Sequence, residues 1–143
     1  MKIHVIDDAG LISSHLLMTE SDVEFYSDEI QALNAVEQRQ PDLVLLNYSV
    51  RDRHTPEYVA LLLNASPGTR VVVVGDGLSD DDVIYCLLAG AKGYQNGLQL
   101  KDYLDRLIKA VTAGEAWVSR KLVAHLLDVL RQTQAIDALV SVY

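Results

Sequence analysis

Short, mostly apolar runs recur along the chain, and each is followed by a segment with the periodicity of an amphipathic helix. The runs are brief and mostly β-branched, which is typical of buried strands. A parallel sheet that is covered on both faces has strands of this kind, and right-handed crossovers place its helices on both sides. The predicted strands are residues 3–6, 23–26, 43–46, 71–74 and 93–95. This order predicts an α/β protein with a doubly wound, five-stranded parallel sheet.

The helices between the runs are predicted from apolar spacing and from capping residues. The spacing predicts helices over 11–17, 58–63 and 100–111, and Ser27 and Ser79 are predicted N-caps of two others. A further apolar stripe over 122–130 predicts an extra C-terminal helix. The predicted division is therefore a core domain over 1–115, an appended helix over 116–131, and a linker or tail over 132–143.

Composition restricts the partners of this chain. Among its 143 residues, 12 Lys and Arg stand against 20 Asp and Glu, so the formal net charge is −8. Nucleic acids and anionic membranes attract basic surfaces, so we expect neither DNA nor membrane to bind this chain directly. The single cysteine, Cys86, excludes an intrachain disulfide, and no apolar stretch is long enough for a signal peptide or a transmembrane helix. We expect a cytoplasmic protein.

Ligands of an open parallel sheet bind beyond the carboxyl ends of its strands. Four places in this sequence fall there, namely Asp7 with Asp8, Asn47, Gly75, and the stretch 94–97. Asp7 and Asp8 have an alternative role as residues that end a strand and cap the following turn. No pair of a nucleophile and a base is evident, and there is no glycine-rich phosphate loop, so an enzyme is the least favoured class.

Five segments resemble the receiver domain of two-component response regulators. They are VIDD, PDLVLLN, RVVVVG, AGAKGYQNG and AGEAWVS, and the last two resemble most closely the NarL or LuxR-type subfamily. The resemblance covers about residues 2–130. It implies a flavodoxin-like (CheY-like) receiver fold with an extra C-terminal helix, so residues 1–115 would form the receiver-like domain.

The resemblance also implies a reaction, from which this sequence departs at three positions. A receiver accepts a phosphoryl group on an aspartate after its third strand, beside Mg²⁺ held by the acidic pair, here Asp7 and Asp8. The acceptor position is Asn47, whose amide cannot form an acyl phosphate. The hydroxyl position is Gly75 and the lysine position is Gly97, so the donor and the cation are missing too. With only Asp7 and Asp8 left, Mg²⁺ binding should be weak at best.

Tyr94 falls at the position of the aromatic residue that swings inward in active receivers. Gly75 has no side chain that could draw the Tyr94 ring inward. A glycine at position 75 does, however, leave room that could let the ring stay inward. Outside this pocket, structural roles are expected for the other candidates. His4 and Cys86 are predicted to be packing residues, and Trp117 is predicted to anchor the final helix. His54, which shares no metal-ligand spacing with the other histidines, is predicted to lie near the pocket mouth.

The sequence therefore predicts a non-enzymatic pseudo-receiver in signal transduction, with no cofactor beyond weakly bound Mg²⁺. In the resembling subfamily such a domain controls transcription by dimerising, through a C-terminal DNA-binding domain that this chain lacks. A homodimer is the expected partner state, by fold-level analogy, and another signalling protein is a further partner. Two alternatives stay open: a receiver domain that senses a small molecule, and a stand-alone interaction adaptor.

Overall fold

The chain forms a five-stranded parallel sheet. The computed structural model describes residues 1–15 and 22–142, with side chains through residue 132. The strands are β1 (Lys2–Ile6), β2 (Asp22–Tyr26), β3 (Leu43–Asn47), β4 (Arg70–Gly75) and β5 (Gly93–Asn96). Their order is β2-β1-β3-β4-β5, and every neighbouring pair is parallel. The predicted fold class is thereby confirmed.

Five α-helices accompany the sheet within the described residues. They are α1 (Glu29–Arg39), α2 (Thr55–Ala65), α3 (Asp80–Leu88), α4 (Leu100–Thr112) and α5 (Arg120–Val142). Single 3₁₀ turns lie at Ser13–His15, Tyr48–Val50, Asp52–His54 and Gly97–Gln99. The helix predicted over 11–17 appears only as the first of these turns, since residues 16–21 lie outside the described residues. None of the described helices has both the length and the apolar character that crossing a membrane requires.

Helix boundaries differ from the predicted ones at three places. Asp28, not Ser27, caps α1, because its side chain accepts a hydrogen bond from the Gln31 amide. Helix α2 begins at Thr55, three residues early, because Pro56 lies in the first turn, where a missing N–H costs nothing. Helix α5 continues past Arg131, so the segment predicted as a linker or tail is helical through Val142. Ser79 caps α3 as predicted, and it forms a capping box with Asp82.

The sheet is covered on both faces, and this fixes the direction of its edge residues. Alternate strand residues such as Ile3, Val5 and Leu45 pack under α4, and their neighbours such as Ile6 and Leu46 pack under α1 and α2. Burial of apolar surface stabilises the sheet by about 25 cal/mol per Å² on each face, and this holds the strands in register. The carboxyl ends of β1, β3, β4 and β5 therefore meet at one edge, where the predicted site residues lie.

The β5 side of the sheet leads into α5. Trp117 forms a parallel bridge with Gly93, and its indole Nε1 donates to Gln95 Oε1 at 2.9 Å. Helix α5 then packs on α3 through a small apolar cluster, in which Leu122 is buried and Leu126 is partly buried. Trp117 thus anchors the segment that leads into α5.

Candidate functional site

The predicted site residues line or border one open cavity at the carboxyl edge of the sheet. The cavity has a volume of about 680 Å³. Asn47, Gly75 and Gly97 line it, and Asp7 borders it through a hydrogen bond to Asn47. The other lining residues are Ala9, Gly10, Leu11, Ser14, Tyr48, Ser49, Asp52, Asp76, Leu78 and Leu98. The fold thus brings together the positions after β1, β3, β4 and β5, as parallel strands require.

The Asp7 carboxylate is surrounded by donors from the chain itself. Its Oδ2 accepts from the Ile12 amide at 2.8 Å and from both the amide and the hydroxyl of Ser13 at 3.2 Å. Its Oδ1 accepts from the Ala9 amide at 3.1 Å and from Asn47 Nδ2 at 2.9 Å. Five donors on two oxygens leave little capacity for any further ligand.

Asn47 uses both ends of its buried amide. Its Nδ2 donates to Asp7, while its Oδ1 accepts from the Ser49 amide at 3.0 Å and so starts the turn after β3. Asn47 is only 3% exposed, so this fixed orientation has no competition from water. Exposed Asp8 is held at the rim, where Ser49 Oγ donates to its Oδ1 at 2.6 Å. The polar half of the cavity is therefore a closed hydrogen-bond network.

The hydrogen bonds keep Asp7 ionised. Burial alone would raise the pKa of this carboxyl, but bonds from Asn47 and from the amides of Ile12, Ala9 and Ser13 outweigh burial and lower the pKa below its ordinary value. The amide of Asn47 stabilises the negative charge without a metal ion. Within the described residues, no group of three or more His, Cys, Asp or Glu side chains is arranged to hold a metal.

Leucine side chains cover the two glycines on the other side of the cavity. A Cβ at Gly75 would lie 2.8 Å from Leu78 Cδ1 and 3.0 Å from Leu78 Cγ. A Cβ at Gly97 would lie 2.6 to 2.8 Å from three atoms of Leu11. Both spacings are well inside van der Waals contact, so the two leucines fill the space in which the side chains of a phosphorylatable site would begin. No motif or strand end in the sequence assigns Leu11 or Leu78 to the site.

The cavity offers no cation to a phosphoryl group. No lysine or arginine is among its lining residues in the described part of the chain, whereas Asp52 and Asp76 line it. Lys101, four residues after Gly97, is exposed on the first turn of α4. An anion entering here would meet carboxylates and leucines, which is the opposite of an anion-binding site.

Tyr94 is half-buried beside this cavity, in the cluster that joins α3 to α5. Its hydroxyl donates to the Gly75 carbonyl oxygen at 3.2 Å, and burial raises the pKa of its phenol. The ring is thus held at the end of β4. The space next to Gly75, however, is filled by Leu78 and not by the Tyr94 ring, so the expected vacancy there does not exist.

The remaining candidates lie apart from the cavity. His54 is exposed and sits 3.6 Å from Glu57 on the same turn, and it does not line the cavity. His4 is buried, with its Nε2 3.9 Å from Glu24 Oε2 and its ring tilted by 45° to the Tyr26 ring at a centroid distance of 5.1 Å. Burial raises the pKa of the Cys86 thiol to about 12, so this cysteine is an unreactive packing residue.

The chain is similar in sequence to known transcriptional regulators. No protein-family model matches the chain. It is 30% identical over 136 residues to the uncharacterized transcriptional regulatory protein YhcZ of Bacillus subtilis, covering 89% of this chain and 62% of that protein. It is 28% identical over 141 residues to the transcriptional activator DevR/DosR of Mycobacterium tuberculosis, covering 92% and 63%. The chain therefore spans under two thirds of the length of these relatives.

Solved structures agree at the level of the fold. The isolated REC domain of RcsB from Salmonella enterica matches with a TM-score of 0.74 at 15% identity, covering 90% of this chain and 98% of that one. A LuxR-family response regulator from Aurantimonas matches with a TM-score of 0.73 at 16% identity, covering 89% and 95%. The chain has the fold of a response-regulator receiver domain. Asn47 ends its third strand, Gly75 ends the fourth, and Gly97 follows the fifth.

Proposed function

We propose that this receiver domain signals without being phosphorylated, as a pseudo-receiver that is not an enzyme. It regulates transcription as a homodimer, through a DNA-binding domain outside this chain. The names of its relatives support the regulatory role, since they are described as a transcriptional regulatory protein and a transcriptional activator. The net charge of −8 supports placing DNA contact elsewhere, because DNA repels an acidic surface.

The hydrogen bond from Asn47 Nδ2 to Asp7 carries the proposal. Phosphoryl transfer to a receiver needs a carboxylate oxygen that attacks phosphorus, and needs Mg²⁺ and a cation to neutralise the charge that develops. Here an amide donor, 2.9 Å from the acidic residue, stands where a phosphorylatable receiver would have a carboxylate. One substitution therefore removes the nucleophile and also one of the carboxylates that would hold Mg²⁺.

The other half of the cavity supports the same conclusion. Gly75 and Gly97 supply no hydroxyl and no ammonium group, and Leu78 and Leu11 occupy the space beside them. Asp7 and Asp8 are committed to internal hydrogen bonds, so any Mg²⁺ held there would be weakly bound.

Incubation with acetyl phosphate and Mg²⁺, followed by intact-mass measurement, tests this function. We expect the chain to keep its mass, while a phosphorylatable receiver in the same tube gains one phosphoryl group and shows that the donor is active. The Asn47→Asp variant is the matched comparison, since it restores the carboxylate after the third strand while Gly75 and Gly97 stay unchanged. A phosphoryl group on the unmodified chain, at any of Asp7, Asp8 or elsewhere in the cavity, would refute the proposal.

The homodimer has its own support in apolar side chains that stay exposed. Val123, Leu127 and Leu130 are 42%, 46% and 40% exposed along one stripe of α5, and Tyr85 on α3 is 62% exposed. Clustered apolar exposure of this kind marks interaction surfaces. Light scattering over a concentration series should give the mass of a dimer, unchanged by acetyl phosphate. A monomer at every concentration would contradict this part of the proposal.

Small-molecule sensing is the second candidate function, and the shape of the cavity favours it. A volume of about 680 Å³ lined by Leu11, Leu78 and Leu98 suits a small, partly apolar ligand, whereas the acidic residues disfavour an anion. Thermal-shift screening against neutral and cationic metabolites would test it. A shift abolished by Gly97→Lys, which fills the cavity, would support sensing, and a library without a single shift would count against it.

A further inference from the structure

Leu78 contacts two cavities of this receiver domain. It lines the cavity at the carboxyl edge of the sheet, together with Asn47 and Gly75. It also lines a groove of about 710 Å³ on the β5 side, together with Tyr94 and Trp117. The side chain belongs to the loop between β4 and α3, whose conformation is not fixed by sheet hydrogen bonds.

The contact on the cavity side is tight. With Leu78 Cδ1 2.8 Å from the Cβ position of Gly75, this leucine packs directly on the backbone at the end of β4. Any atom that enters beside Gly75 must therefore move Leu78. Tyr48 Cβ, at 3.4 Å from the same position, is the next contact and is at an ordinary distance.

The contact on the groove side connects Leu78 to Tyr94 and to α5. Leu78 packs with Tyr94, Val83 and Leu122 in the apolar cluster through which α5 packs on α3. The Tyr94 hydroxyl is held by the Gly75 carbonyl, and its amide donates to the Trp117 carbonyl at 3.0 Å. A displacement of Leu78 thus reaches the packing around Tyr94 directly, and the Trp117 segment through Tyr94.

We propose that Leu78 couples the two cavities, so that what occupies the space beside Gly75 sets the packing of the Tyr94–Trp117 groove. Leu78 would transmit the change to Tyr94 by van der Waals contact. A hydroxyl-bearing residue at position 75 would transmit it by hydrogen bonding. The coupling does not depend on whether the cavity accepts phosphorus, so it can fail while the proposed function stands.

Nuclear magnetic resonance of the ¹⁵N-labelled chain can test this coupling, because Trp117 is the only tryptophan and gives one indole signal. Gly75→Ala adds one methyl group against Leu78. We expect it to shift both the Trp117 indole signal and the Tyr94 amide signal. In a Leu78→Ala background, where the methyl group has room, the same change should shift both signals by less than half as much. If Leu78→Ala does not fold, Leu78→Val gives a milder background for the same comparison.

Gly97→Ala is the matched control, since it adds a methyl group to the same cavity but against Leu11, which does not line the groove. It should leave the Trp117 and Tyr94 signals in place. The coupling is refuted if Gly75→Ala shifts these signals equally with and without Leu78, or if Gly97→Ala shifts them as far.

Discussion

The two halves of the carboxyl-edge cavity are built in different physical ways. On the β1–β3 side, polar residues remain, and the Asn47 amide and the Asp7 carboxylate satisfy each other at 2.9 Å. On the β4–β5 side, leucines pack on Gly75 and Gly97, although Asp76 also lines the cavity. In the first half the hydrogen bonds of the polar side chains are already made. In the second half the space beside the two glycines is already filled.

Because of this difference, one half of the cavity can be altered by a single substitution, whereas the other half needs two substitutions. Asparagine and aspartate have nearly the same shape, so the β1–β3 side can be reversed at one position at an electrostatic cost. A side chain at Gly75 would collide with Leu78, three residues further on, and one at Gly97 would collide with Leu11 from the loop after β1. Restoring that side therefore needs the glycine and its leucine to change together.

The largest effect is expected from Asn47→Asp, which replaces a donor by a second carboxylate beside Asp7. We expect it to lower the free energy of unfolding by about 2 kcal/mol at neutral pH, because a hydrogen bond becomes a like-charge contact. Added Mg²⁺ should restore part of the lost free energy of unfolding, because it would neutralise the two neighbouring carboxylates. Chemical denaturation with and without Mg²⁺ measures both effects.

Asn34→Asp is the control for this change, since it adds the same charge at an exposed position on α1. It should cost less than about 0.5 kcal/mol and show no response to Mg²⁺. Equal losses in the two variants would mean that the Asn47–Asp7 bond has no special role.

A smaller loss is expected from Gly97→Ala, about 1.5 kcal/mol, because the added Cβ would lie 2.6 to 2.8 Å from three Leu11 atoms. The loss should largely vanish in a Leu11→Ala background. Gly68→Ala, where nothing lies within 4 Å, should be neutral or slightly stabilising. A loss at position 97 that persists without Leu11 would contradict the view that this side is closed by packing.

The smallest effect is expected from Asn47→Ala, about 1 kcal/mol at neutral pH, since Asp7 keeps its other donors. The pKa of Asp7 is lowered in the folded state, so the stabilisation is complete above the ordinary value of 3.8 and is lost as the pH falls through the folded-state value. The difference between the variant and the unmodified chain should therefore shrink on acidification. Ser49→Ala, which removes only the exposed bond to Asp8, should show little effect at any pH.

The sheet could be predicted because its signals are local. All five strands lie within one or two residues of their predicted positions, since each is a short, mostly apolar run or a short stretch between glycines. The boundary errors also have local causes. Two adjacent residues, Ser27 and Asp28, can both cap a helix, and Pro56 suits a first helical turn as well as a loop.

The positions of the site residues could be predicted, but the way the site is closed could not. Asp7, Asn47, Gly75 and Gly97 follow from the ends of strands. Leu11 lies 86 positions from Gly97 in the chain, and no periodicity or motif relates the two. Leu78 is near Gly75 in sequence, but a leucine in a loop carries no signal of which of two cavities it lines.

Small movements at the base of helix α5 would produce larger displacements at its far end. At about 1.5 Å per residue, its 23 residues extend roughly 34 Å from Arg120 to Val142. Near its first residues Leu122 and Leu126 pack on α3. A tilt of about 5° at the base would carry the far end of a straight helix of this length about 3 Å. Changes in side-chain packing too slight to alter the sheet would thereby become displacements large enough to make or break a contact.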